Sequence, residues 1–314
     1  MKDGATRDGY GEALLQLGEN SSVVVLDAGV SDSTRTNKFG KKYPSRFFNM
    51  GISEADMVCT AAGLATAGKI PFATSFACFL LGRSMDQVLV SVAYSKTNVK
   101  VVGTHSGIAV GEDGPTAQMI VDLAYTRAMP NLAVVQPADW EETVQATKCL
   151  AEYAGPAYLR LGRSSVKGIY DSSYKFKLGK GHVLRQGTGV VIFASGIMVQ
   201  ESLKAIEILA NEKIDVTLVN ISTIKPLDKE LVVEQARRNG AVVTAEDHNR
   251  IGGLGDAVLE ALAENQVHVP TQKIAVNDTF AETGTPQELF KKYGISASHI
   301  AQAVKTAHSR KIKA

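Results

Sequence analysis

Three loops bring together residue types suited to chemistry, and each also has an ordinary structural explanation. The first, Phe47-Phe48-Asn49-Met50-Gly51-Ile52-Ser53-Glu54, places a carboxylate in apolar surroundings before a stretch of small residues. Taken alone, Glu54 reads as a carboxylate at a helix N-terminus, favoured by the helix dipole. In the second, Pro71-Phe72-Ala73-Thr74-Ser75-Phe76-Ala77-Cys78-Phe79, two phenylalanines stand three apart. They suit either core packing or a flat slot for a heteroaromatic ring. The third, Gly103-Thr104-His105-Ser106-Gly107-Ile108-Ala109-Val110-Gly111-Glu112-Asp113-Gly114-Pro115-Thr116, is a long Gly-rich loop with a histidine and two acids. Polar loops of this kind at strand ends either turn through solvent or carry function.

All three loops follow a predicted strand and precede a predicted helix, the place where α/β proteins bind ligands. Short Val- and Ile-rich runs predict buried parallel strands at 23–26, 99–103, 132–136 and 157–161. Helices are predicted at 55–67, 85–94, 118–129 and 140–153, with Asp139 as N-cap and Glu142 completing a capping box. A second series alternates strands at 190–194, 216–221, 241–245 and 273–276 with helices at 199–210, 227–239 and 255–265. The fold class is therefore α/β, with two consecutive parallel-sheet domains and right-handed crossovers. The first domain takes residues 1–165 and the second 189–314. A Gly-, Ser- and Lys-rich linker, residues 166–188, ends in a short hairpin around Gly187. The basic tail from His308 onward is expected to fray.

Composition narrows the function classes. The 314 residues carry 34 Lys and Arg against 32 Asp and Glu, a net charge of +2, which argues against nucleic-acid binding by bulk charge. Three cysteines, Cys59, Cys78 and Cys149, give no disulfide framework and no zinc spacing, and are expected to be buried reduced thiols. No metal site is expected from this chain. The N-terminus lacks a signal-peptide core, and no apolar run reaches the roughly 18 residues a membrane span requires. A cytoplasmic location is the expectation. Gly252-Gly253-Leu254-Gly255 lacks dinucleotide-site spacing and reads as a close-packed helix start, which disfavours a generic nucleotide-binding protein.

In this order, the three loops resemble the transketolases, enzymes dependent on thiamine diphosphate. Thr104–Thr116, continuing through Arg127-Ala128-Met129-Pro130-Asn131 to Pro137-Ala138-Asp139, is the most specific match. Ala245-Glu246-Asp247-His248 and Phe280–Gly284 extend it into the second half. The resemblance implies a pyrimidine-binding domain followed by the smaller C-terminal domain, without the domain that grips the cofactor's diphosphate. Glu112-Asp113-Gly114 superficially matches the Gly-Asp-Gly that anchors Mg²⁺, but Asn131 follows too soon to complete the motif. Mg²⁺ and the diphosphate would therefore be held mainly by a partner, the N-terminal pyrophosphate-binding subunit, in a heterotetramer of two chains of each kind.

The resemblance also assigns roles. Glu54 would stand beside the pyrimidine N1′, where a carboxyl kept dry favours the imino tautomer that activates the cofactor. Phe76, Phe79 and Ile52 would surround the pyrimidine ring. Asp113 would bind the substrate's C2 hydroxyl, and His105 would act with it in catalysis. Ser31, Arg163, His105 and Arg83 would meet the substrate phosphate, Arg being apt because its planar fork binds oxygens in pairs. Alone, Arg163 reads as a surface residue. Two positions depart from the pattern: Gly82 where a Tyr is usual, and Ala117 where a His is usual. With Arg83 beside Gly82, a deoxyxylulose-phosphate-synthase-like activity is an alternative. The β subunit of a 2-oxoacid dehydrogenase and a non-catalytic partner of a thiamine enzyme are others.

Overall fold

A computed structural model describes residues 1–210, 212 and 214–311. The chain opens on a two-residue strand, β1 (Gly4–Ala5), and the helix Thr6–Leu17. Six parallel strands follow: β2 (Val23–Asp27), β3 (Phe47–Asn49), β4 (Ile70–Phe76), β5 (Lys100–Thr104), β6 (Ala133–Val135) and β7 (Ala157–Arg160). They line up as β6-β7-β5-β4-β2-β3. β2 and β5 are buried along their whole length, which is why their sequences are nearly continuous apolar runs.

β8 (Ser165–Val166) pairs back onto β1. In the second half β10 (Val190–Ala194), β11 (Val216–Asn220), β13 (Val242–Asn249) and β14 (Thr271–Val276) form the parallel run β14-β13-β10-β11. β9 (His182–Arg185) closes its edge antiparallel to β11. The expected hairpin at Gly187 is thus absent, because β9 pairs with β11 rather than with its sequence neighbour β10. β12 (Thr223–Lys225) leaves the second half and adds an antiparallel edge to β6 in the first sheet. The hydrophobic core likewise crosses the linker, with Phe193, Val219 and Ile224 in one cluster with Val24, Leu80 and Val134.

Most predicted helices fall within two residues of those observed, including Glu54–Thr66, Trp140–Glu152 and Leu254–Glu264. Other expectations need correction. The helix expected over 118–129 begins only at Asp122, because Met119 pairs with Gly107 in an isolated bridge and the chain bends at Ile120 and Val121. The helix expected over 85–94 is the end of Ala77–Gln87 running into a π-helical stretch, Val88–Tyr94. All three cysteines are free, but none is fully buried: Cys59 is exposed, and Cys78 and Cys149 are half-buried. The helix Glu54–Thr66 turns Met57, Val58, Ala61 and Ala62 inward and leaves Cys59 on the opposite face. Asp139 caps its helix by accepting from the Glu142 N–H, but Glu142 returns to the Ala138 N–H rather than to Asp139. The Glu142 carboxylate also accepts from Asn220 and Tyr174, so this cap fastens the two halves together. The tail helix runs to Ser309, and of the expected frayed tail residues 312–314 lie outside the described residues. Among the described residues no helix is long and apolar enough to cross a membrane.

Candidate active site

Every residue singled out from the first half lies just beyond the carboxyl end of a parallel strand. Asp27 ends β2 and Ser31 follows it, and Glu54 follows β3. Phe76 ends β4, His105 and Asp113 follow β5, and Arg163 follows β7. A crevice outside the carboxyl edge is the usual ligand position in such sheets.

At one end, Glu54 opens the helix Glu54–Thr66 with a side chain only 3% exposed. Arg83 Nη1 lies 3.0 and 3.1 Å from its two carboxylate oxygens. The same guanidinium sits 4.4 Å above the Phe79 ring. Phe79 stacks on Phe76 at 5.6 Å between centroids, and Phe76 stacks on the His105 imidazole at 3.7 Å. The aromatic pair is therefore real, but His105 occupies one face of Phe76. Arg83, expected with the phosphate-binding residues, instead neutralises Glu54, because its helix aims it at that carboxylate. Its side chain is 48% exposed. Ile52 is almost fully exposed beside Glu54, and a side chain on Gly82 would enter open space.

At the other end, Arg7 Nη1 donates to the Ser33 carbonyl at 3.0 Å and to His105 Nε2 at 3.1 Å. His105 Nε2 is thus an acceptor, so its proton is on Nδ1 and is donated to Thr104 Oγ1 at 2.8 Å. Burial, and then the charges of Arg7, Arg163 and Arg35, push the His105 imidazole down to about 3. It is neutral at physiological pH and cannot serve as a cationic proton donor there. Since the folded value lies below the usual 6.5, the native imidazole binds fewer protons than the unfolded one in this window. Its contribution to stability is complete above 6.5 and is lost as pH falls toward 3. Between about pH 7.5 and about pH 4.5 the wild-type chain is expected to lose roughly 2–3 kcal/mol more stability than His105→Gln. Denaturant titrations at the two pH values check this, and equal losses would contradict it.

Arg163 donates to the Val110 carbonyl at 2.7 Å and sits 3.2 Å from Asp113 and 3.6 Å from Glu112. Arg35 pairs with Asp8 at 2.7 Å. Ser31, half-buried, starts a one-turn helix held by the buried Asp27, which accepts from Val30 N–H, Thr34 and Thr36. The structure thus brings His105, Arg163 and Asp113 around Arg7 and Arg35, while Ser31 lies in the one-turn helix whose Ser33 carbonyl accepts from Arg7. Arg7 was legible only through its helix. Tyr10, Ala13 and Leu14 recur at helical spacing, but Gly9 and Gly11 between them weaken the pattern. Ala117 is nearly buried at the root of the same loop.

The second half packs against the loop that follows β5, where the Asp247 carboxylate accepts from the Ile108 and Ala109 N–H groups. Glu246 accepts from the N–H groups of Leu254 and Gly255, and a Cβ on Gly253 would strike its carboxylate. This explains the Gly-Gly-Leu-Gly run as a close-packed helix start. Burial pushes Glu246 up to about 7. His248 is buried at the junction of the halves, where Nε2 accepts from the Ala124 N–H. Among the described residues no group of three or more His, Cys, Asp and Glu side chains is arranged to hold a metal ion.

The molecule is thus a two-sheet α/β protein whose crevice sets a dry carboxyl and stacked aromatic rings beside an arginine cluster. Residues 2–168 match the transketolase pyrimidine-binding domain, and residues 179–300 the transketolase C-terminal domain. A putative transketolase C-terminal section from Methanocaldococcus jannaschii is 44% identical over 301 residues, covering 95% of this chain and 94% of that one. A 6-deoxy-6-sulfo-D-fructose transketolase subunit from Clostridium sp. (strain MSTE9) is 40% identical, covering 97% and 95%. The fold superposes with a TM-score of 0.90 on a split-gene transketolase solved as an inactive β4 tetramer, 46% identical, covering 99% of this chain and 100% of that one. The chain belongs to the transketolase family and carries its pyrimidine-binding and C-terminal domains.

Proposed function

We propose that this chain is the C-terminal subunit of a split transketolase, transferring a two-carbon ketol unit between sugar phosphates once joined to a pyrophosphate-binding partner. The observation that carries the reading is the unbroken line of side chains across one crevice: Glu54, Arg83, Phe79, Phe76, His105, Arg7. It sets a site for a heteroaromatic ring beside one for a phosphorylated sugar. The description of a 46% identical relative as inactive in a β4 tetramer agrees with a chain that needs another. In this reading the partner grips the diphosphate and its Mg²⁺, and two chains of each kind assemble.

The residues at the open end fit the pyrimidine of thiamine diphosphate. Glu54 is shielded from water, the exposed Ile52 borders it, and no atom lies within 4 Å of a Cβ at Gly82. When bound, thiamine diphosphate supplies the nucleophilic carbon that accepts and hands on the two-carbon unit. Glu54 holds a proton against the pyrimidine N1′, after Arg83 has turned away to leave the carboxyl without its counter-charge. Phe79 and Ile52 fix the ring by contact, and Phe76 backs Phe79. Asp113 binds the C2 hydroxyl of the sugar. Arg163, Arg7 and Ser31 hold the phosphate, and the neutral His105 accepts from Arg7 and keeps it pointed inward. With Ala117 in place of histidine, this chain supplies no imidazole at that position of the crevice.

Arg163→Ala in the reconstituted complex is expected to raise KM for a phosphorylated aldose acceptor roughly 10- to 100-fold, the worth of one charged hydrogen-bonding group. KM for the unphosphorylated counterpart should change less than threefold by the same argument. Steady-state kinetics on the two acceptors test the reading, and equal effects on both would contradict phosphate binding at this end.

A further inference from the structure

Asp247 lies in the C-terminal half, yet its carboxylate is aimed at the loop that carries Asp113. Oδ1 accepts from the Ile108 N–H at 2.8 Å and Oδ2 from the Ala109 N–H at 3.0 Å. The approach is so close that a Cβ on Gly107 would collide with the carboxylate, and Gly107 is held at φ +75°, ψ −173°. Few residues other than glycine adopt that conformation. The backbone carbonyl of Asp247 accepts from Arg160 at 3.0 Å, and Arg160 also binds the buried Asp122, so the anchor cannot drift. From these two amides the loop runs on directly. Ser164 donates to the Ala109 carbonyl at 2.9 Å, Arg163 to the Val110 carbonyl at 2.7 Å, and Asp113 faces Arg163.

We propose that Asp247 is a positioning residue, through which the C-terminal domain sets the loop 107–113 so that Arg163 and Asp113 meet the sugar phosphate in register. The proposal rests on the transketolase reading and deepens it: it gives the C-terminal domain a part in substrate recognition. A carboxylate suits the task because each oxygen can take one of two adjacent N–H groups. An amide cannot, since its NH₂ group would face one of those donors.

The test uses Asp247→Asn in the full chain and in the complex with its partner. Hydrogen exchange of the full chain should show the amides of 107–113 exchanging at least about tenfold faster in the variant, with the strands of both sheets as protected as in the wild type. In the complex, KM for a phosphorylated acceptor should rise about tenfold or more, with kcat within about threefold and KM for the unphosphorylated acceptor rising several-fold less. Unaltered exchange in the loop would overturn the proposal. So would a loosened loop with both KM values at wild-type level, which would reduce Asp247 to a structural contact. A wild-type complex that transfers no ketol unit would strike the transketolase reading instead, and the exchange comparison would still decide whether Asp247 holds the loop.

Discussion

Glu54→Gln is expected to lower kcat of the reconstituted enzyme roughly 10²- to 10⁴-fold, the range for losing a positioned proton-transfer group. Subunit assembly and the KM for sugars should stay close to wild type. Gln matches Glu in shape, so the helix Glu54–Thr66 keeps its start, but an amide cannot exchange a proton with a ring nitrogen. The side chain is only 3% exposed, so bulk water cannot readily take its place. Arg83 loses its partner in this variant, but at 48% exposure it turns into solvent at little cost. Rapid-mixing or steady-state turnover of the complex, with size-exclusion chromatography for assembly, checks the expectation. Turnover within tenfold of wild type would remove Glu54 from the role assigned to it.

The largest effect on stability is expected from Arg160→Met. Arg160 and Asp122 are 1% and 0% exposed and 2.7 Å apart. Arg160 also donates to the carbonyls of Met119 and Asp247, while Tyr158 donates to Asp122. Removing the guanidinium leaves a carboxylate buried with no counter-charge, which costs about 3–5 kcal/mol. A buried pair need not be worth that much in itself, because desolvation opposes its attraction. Asp122→Asn combined with Arg160→Met should therefore recover a sizeable part of the loss. Denaturant titration of the wild type and these two variants measures both quantities. A single-variant loss below about 1 kcal/mol would contradict the account of this pair.

The legible part of the site was the part written in consecutive residues. Glu54, Phe76, Phe79, His105 and Asp113 sit in loops that begin where apolar strand runs stop, and parallel sheets put such loops on one edge. Arg7 escaped because its helix carries glycines and lies at the chain's start, where only a targeting signal was sought. The Arg83–Glu54 pair joins residues 29 apart, and the contacts of Asp247 with the loop join residues 138 and 139 apart. Neither leaves a periodic trace, since each depends on how one packed element faces another. The same holds for β12, a short run after β11 that crosses to the other sheet. The exposed Cys59 shows the complementary failure: an apolar sequence neighbourhood does not say which face of a helix is turned inward.

The central claim is that this chain holds half of a working site. It is tested most directly by assaying ketol transfer with thiamine diphosphate, Mg²⁺ and a panel of sugar phosphates, first with the purified chain and then with the pyrophosphate-domain subunit added. No transfer from the chain alone and clear transfer from the mixture is the expected outcome. Transfer by this chain alone, at a rate the added subunit does not raise, would contradict the claim.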